Sequence, residues 1–140
     1  MTTALISGLL LLASAAGHPA KENRSCASST EGAGIVRVHG RLAVYNGGYP
    51  NFRLWAVGTH HLFGIYGDQV DLQCQRGSGC SGDGDTELPR DVEAMFTGPG
   101  VFQYFIYGNF QLRLLEPLKA GHMQAACIIS ASQLVRQLSH

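Results

Sequence analysis

Five side chains share a parity that could build a binding face. Arg37, His39 and Arg41 alternate along one segment, and Arg53 and Trp55 alternate along the next. Successive side chains on a β-strand point to opposite faces, and residues opposite one another on paired strands lie within about 5.5 Å. If the two segments pair, all five side chains share one face. A guanidinium over an indole is a favourable contact in its own right, so the plain reading is a structural cation–π stack. The functional reading is a platform for an anionic or ring-stacking ligand, such as an acidic glycan or an acidic protein patch. Three arginines make a local positive field in a chain with 10 Lys+Arg against 10 Asp+Glu and a formal net charge of zero. The same balance argues against nucleic acid, whose recognition draws on a basic excess.

Histidines offer a second chemistry. His60 and His61 are adjacent, and His39 and His122 stand alone. On a regular strand His60 and His61 face opposite ways, so a copper or zinc site would need His39, one of that pair and His122 to converge. This metal-binding envelope protein is the alternative to the Arg/Trp face; no metal ligand and no cofactor is assigned. Asp83 and Asp85 alternate as at the start of an EF-hand loop, but Leu88 occupies the position of the turn glycine and no glutamate falls at the twelfth position. What they leave open is a weak extracellular calcium site built with a carbonyl. Nothing supports nucleophilic catalysis: there is no Gly-x-Ser-x-Gly, and the Gly/Ser run around Cys80 lacks the lysine of a phosphate loop. The chain does not read as an enzyme.

The elements that must position these groups are strands. Val36, Val38, Leu42 and Val44 form one row of a strand, with Gly40 among them. Asn46-Gly47 opens a turn, Phe52, Leu54 and Ala56 form the inner row of a second strand, and Phe63 and Ile65 belong to a third. Residues 101–115 and 123–130 are further β segments, the first interrupted at Gly108-Asn109 by a bulge or turn. Residues 91–96 fit a strand or a helical turn, residues 132–138 fit a short helix, and residues 67–89 form a long irregular insertion. With 18 glycines and few charges, this pattern predicts an all-β, disulfide-bonded antiparallel β-sandwich of about seven short strands.

Residues 1–16 read as a signal peptide: an apolar run from Ala4 to Leu12, then the small-residue pattern Ala13-Ser14-Ala15, without Lys or Arg in the first three residues. No later stretch is apolar enough to span a membrane as a helix. Residues 17–34 are polar and predict a flexible arm pinned at Cys26, and residues 35–140 make the domain. Four cysteines, Cys26, Cys74, Cys80 and Cys127, suggest two disulfides and a secreted or periplasmic location. Three pairings are open; Cys74 and Cys80 flank a flexible segment that can close a small ring, which leaves Cys26 for Cys127. Zinc is the rival use of cysteine, but the usual two- to four-residue ligand spacing is absent.

The succession Gly40-Arg41-Leu42, Asn46-Gly47, Pro50 and a second strand resembles the opening of transthyretin-like sandwich domains. The stretches VHGRLAVYNG, FRLWAVG, YGNFQLRLLEP and GHMQAAC are similar to small secreted proteobacterial proteins without an assigned function. In that family a cysteine shortly precedes the proline of the third stretch, where this chain has Leu114 and Leu115. The resemblance implies fold and compartment and brings no activity.

Overall fold

A computed structural model describes residues 22–29, 32–46, 49–77 and 86–139. The expected signal segment, Cys80, Asp83 and Asp85 lie outside these residues. The opening meander follows the sequence pattern. Strand β1 (Gly34–Val44) pairs antiparallel with β2 (Phe52–Ala56), which pairs antiparallel with β3 (Leu62–Ile65). Leu42, Leu54 and Ile65 are fully buried, so the apolar rows do face the core.

The architecture differs from the expected sandwich. Among the described residues five strands close into one barrel in the order β1-β2-β3-β5-β4, with β4 (Tyr104–Leu114) and β5 (Gln124–Leu138) completing the ring. The sheet is mixed, because β3 and β5 run parallel through the pairs Phe63↔Gln124 to Ile65↔Ala126. Strand β1 serves both sides: Gly34 to Leu42 face β4, and Gly40 to Val44 face β2. The expected count of about seven strands falls to five because residues 91–96 are largely helical and the segment 101–115 is not divided at Gly108-Asn109. β4 in fact runs through Gly108-Asn109 with a register shift between Tyr107 and Asn109, and β5 runs through residues 132–138, where a short helix was compatible. Long strands accumulate twist and coil into a barrel where short ones stack as sheets.

Two glycines make the coil possible. Gly40 and Gly108 are register partners on β1 and β4. A Cβ on Gly40 would stand 2.7 Å from Leu54 Cδ1, and one on Gly108 would stand 2.7 Å from Leu134 Cδ2 and 3.0 Å from the Ser132 carbonyl oxygen. Both strands are thus drawn against their neighbours where a side chain has no room.

The insertion between β3 and β4 holds two helices. Helix α2 (Gln69–Arg76) starts at Asp68, whose side chain accepts from the Asp71 amide, and it buries Leu72. Helix α3 (Arg90–Ala94) resolves the strand-or-turn choice at residues 91–96, and its Val92 joins the barrel core with Leu88, Tyr104 and Ile106.

The expected arm is anchored at more than Cys26. Residues Arg24–Ser28 form helix α1, capped by the Asn23 side chain. Cys26 is bridged to Cys127 across 101 residues, as the small-ring reading required, and both are fully buried. Arg113, on β4 opposite Cys127, donates from Nε to the Cys26 carbonyl (2.8 Å) and from a terminal nitrogen to the Ala27 carbonyl (2.9 Å). Polar residues thus fold here because their main-chain groups find partners on the barrel. Cys74 is also disulfide-bonded, and its expected partner is Cys80.

Helix α2 is tied to the β4–β5 connection by a two-pronged ion pair, Arg76 to Glu116 at 2.7 and 2.8 Å. That guanidinium holds the Glu116 carboxyl below its ordinary range, while burial pushes the Tyr66 phenol beside the pair upward. A lowered folded-state value means that the stabilisation is present above the unfolded carboxylate range and is lost as pH falls through the lowered value. Arg76 is half exposed, so the pair is worth about 0.2–1 kcal/mol. Glu116→Gln is expected to remove that increment at neutral pH and to flatten the acid limb of stability. Urea unfolding between about pH 3 and 7 checks it; an unchanged acid limb would mean that other carboxylates carry the slope.

Candidate functional site

The outer face of β1 and β2 carries a ladder of alternating cations and rings. Arg41 and Trp55 are direct register partners. The Arg41 guanidinium carbon sits 4.8 Å from the Trp55 ring centroid and 4.6 Å from that of Phe105, so the cation lies between two rings. Trp55 packs 5.7 Å from Tyr45 at 52°, and Arg53 lies 4.6 Å over Tyr45. The sequence of contacts is Phe105, Arg41, Trp55, Tyr45, Arg53. Ala43, which shares the outward parity, is 2% exposed, so its larger neighbours cover it.

Sequence parity located Arg41, Arg53 and Trp55 correctly on one face. Tyr45 belongs to the same parity row, and its role shows only once Arg53 is seen above it. Phe105 comes from β4 and reaches the ladder through the β1–β4 pairing, which no local pattern encodes. Arg37 and His39 share the face but not the site. His39 Nδ1 lies 2.9 Å from Asn109 Oδ1, and the Asn109 amide donates to Gln133 Oε1 at 2.6 Å. Arg37 stands opposite Gln111 and lines a separate cavity with Ser130 and Ser132.

The electrostatics of the ladder set it apart. Among the described residues the ion pair is Arg76–Glu116, so neither Arg41 nor Arg53 has a carboxylate partner. The Nε atoms of both are buried without a hydrogen-bond acceptor among the described residues. Each guanidinium lies against a ring and both arginines are half-buried; a guanidinium has the planar fork of donors that matches an oxyanion.

The histidines of the metal alternative divide. His60, His61 and His122 line one cavity of about 490 Å³ together with Leu62, Lys119 and Met123. His60 and His61 reach the same cavity because they precede β3 in a turn, where strand alternation does not apply. His61 also stacks on Phe63, with centroids 4.2 Å apart. His39 does not line this cavity and is engaged with Asn109. Among the described residues no three His, Cys, Asp or Glu side chains are placed to hold a metal ion. No helix among them is long and apolar enough to cross a membrane.

No protein-family model, curated protein or solved structure matches this chain.

Proposed function

We propose that this protein is a secreted or periplasmic binding module that holds an anionic glycan across the Phe105, Arg41, Trp55, Tyr45 and Arg53 ladder. The observation that carries the reading is the pair of ring-stacked arginines without a carboxylate partner among the described residues. Fixed guanidinium edges beside exposed ring area suit a sugar face together with its acidic substituent. Five-stranded barrels of the OB type present the face of strands 2 and 3 to oligosaccharides and oligonucleotides; here β2 carries Arg53 and Trp55. Shared architecture supplies no ligand, so the argument rests on the side chains. The buried disulfide is compatible with the oxidising compartment that the leader pattern implies.

Trp55 is the one tryptophan of the chain, so intrinsic emission reports on this site alone. Acidic oligosaccharides are expected to change that emission and neutral ones of equal length are not. Arg41→Ala or Arg53→Ala removes a charge-assisted contact of about 1.5–3 kcal/mol, a loss of roughly 10- to 100-fold in affinity. Both variants are expected to stay folded, since they release side chains from the outer face. Unchanged emission with every acidic oligosaccharide would overturn the reading, and a response to acidic peptides alone would move the ligand to an acidic protein surface.

A further inference from the structure

The outer face of β2 continues beyond the ladder. Trp55 and Arg53 have Leu62 and Gly64 as register partners on β3. Leu62 lines the histidine cavity of about 490 Å³. Gly64 lines a second cavity of about 420 Å³ with Tyr66, Arg76 and Glu116. The two share Lys119, His122 and Met123. They therefore form one cleft between β3 and the β4–β5 connection, related to the ladder through the register pairs Trp55–Leu62 and Arg53–Gly64. The Pro50 ring packs directly over Gly64, where a Cβ would stand 2.6 Å from Pro50 Cγ.

The charge of this cleft is one-sided. The groups facing it are His60 and His61 from the turn before β3, Tyr66 just after β3, Arg76 from α2, Tyr49 from the β1–β2 connection, and Glu116, Lys119 and His122 from the β4–β5 connection. Glu116 is the single carboxylate, and both its oxygens are engaged by Arg76. Lys119 acts on Glu116 only through its longer-range charge, and neither it nor the three imidazoles forms an ion pair among the described residues. His61 Nε2 is buried with no acceptor or donor opposite it. Imidazole nitrogens and an ammonium are the donors that a carboxylate takes, and the space between them is of the size that a sugar ring fills.

We infer that this cleft is a second subsite, holding the carboxylate of the acidic sugar next to the one stacked on Trp55; the inference rests on reading the ladder as a glycan site. The ligand class is a uronic-acid oligosaccharide. Lys119 and the imidazoles take its carboxylate, and Leu62 bridges the two subsites.

Titration with tetragalacturonate, with its methyl ester as the neutral control, tests this through two reporters: Trp55 emission, and the imidazole carbon–proton resonances of His60, His61 and His122. The acid is expected to move both reporters, and the ester to leave the imidazoles unmoved. Lys119→Ala and His122→Gln each change an exposed connection residue and are expected to weaken the acid by about five- to tenfold, with thermal melts unchanged. Emission that changes while the imidazoles stay still would overturn this subsite and leave the ladder standing. Imidazoles that move without Trp55 would overturn the link between the two. Silence from both reporters would overturn the ladder as a uronate site and this inference with it.

Discussion

Cys26→Ala with Cys127→Ala is expected to cost about 4.7 kcal/mol, the loop-closure increment for a cross-link spanning roughly 100 residues. The bridge spans 101 residues, the longest loop that any two of the four cysteines can close. Its sulfurs lie in a buried cluster with Tyr66, Leu72, Leu115, Ala125 and Ile129, which packs α1 and α2 onto the outside of the barrel. Losing the bridge therefore frees the N-terminal segment and thins an apolar cluster whose other members remain. For a chain of this size the fall in melting temperature is on the order of 15–20 °C. Calorimetry on the oxidised wild type and the double variant gives the answer. A fall of only a few degrees would mean that Arg113 and Asn23 hold α1 without covalent help.

Asn23 is expected to be the most sensitive polar position. It is 2% exposed and joins four segments. Its amide nitrogen donates to the Gly67 carbonyl (3.2 Å) and the Glu87 carbonyl (2.9 Å), and its Oδ1 accepts from the Cys26 amide (3.2 Å). Its own main-chain amide donates to the Ile129 carbonyl at 3.0 Å. Two carbonyls converging on the side chain fix which end is nitrogen. Asn23→Ala strands those carbonyls and the capped amide and is expected to cost about 2–4 kcal/mol. Asn23→Asp keeps the shape but sets a carboxylate against two carbonyl oxygens, so at neutral pH it is expected to cost more than the alanine. Its buried carboxyl is pushed up in the folded state, so the deficit grows as pH rises through the ordinary aspartate range near 4 and shrinks below it. Equal melts for the two variants at neutral pH would show that size and not hydrogen bonding matters at this position.

The ladder and the cleft place different demands on the fold. Arg41 is clamped between rings from β2 and β4, so its position depends on closure of the barrel on both sides of β1. The cleft depends on the β4–β5 connection, which the Arg76–Glu116 pair ties to α2.

What the sequence determined alone is the orientation of side chains on each strand. Period two placed Leu42 and Leu54 inward and Arg41, Arg53 and Trp55 outward, because alternation is a local property of extended backbone. The spacing of Cys74 and Cys80 likewise left Cys26 for Cys127, and that bridge is present. Only the tertiary structure decided which strands become neighbours. Closure of β1 onto β4 brought Phe105 to Arg41 from 64 residues away and turned an expected sandwich into a barrel. The parallel pairing of β3 with β5 brought His122 beside His60 and His61, and the turn before β3 joined the two that strand alternation had set apart. Parity is settled within a few residues, whereas partner choice is settled by long-range pairing of backbone edges, and it is partner choice that assembles both the ladder and the cleft.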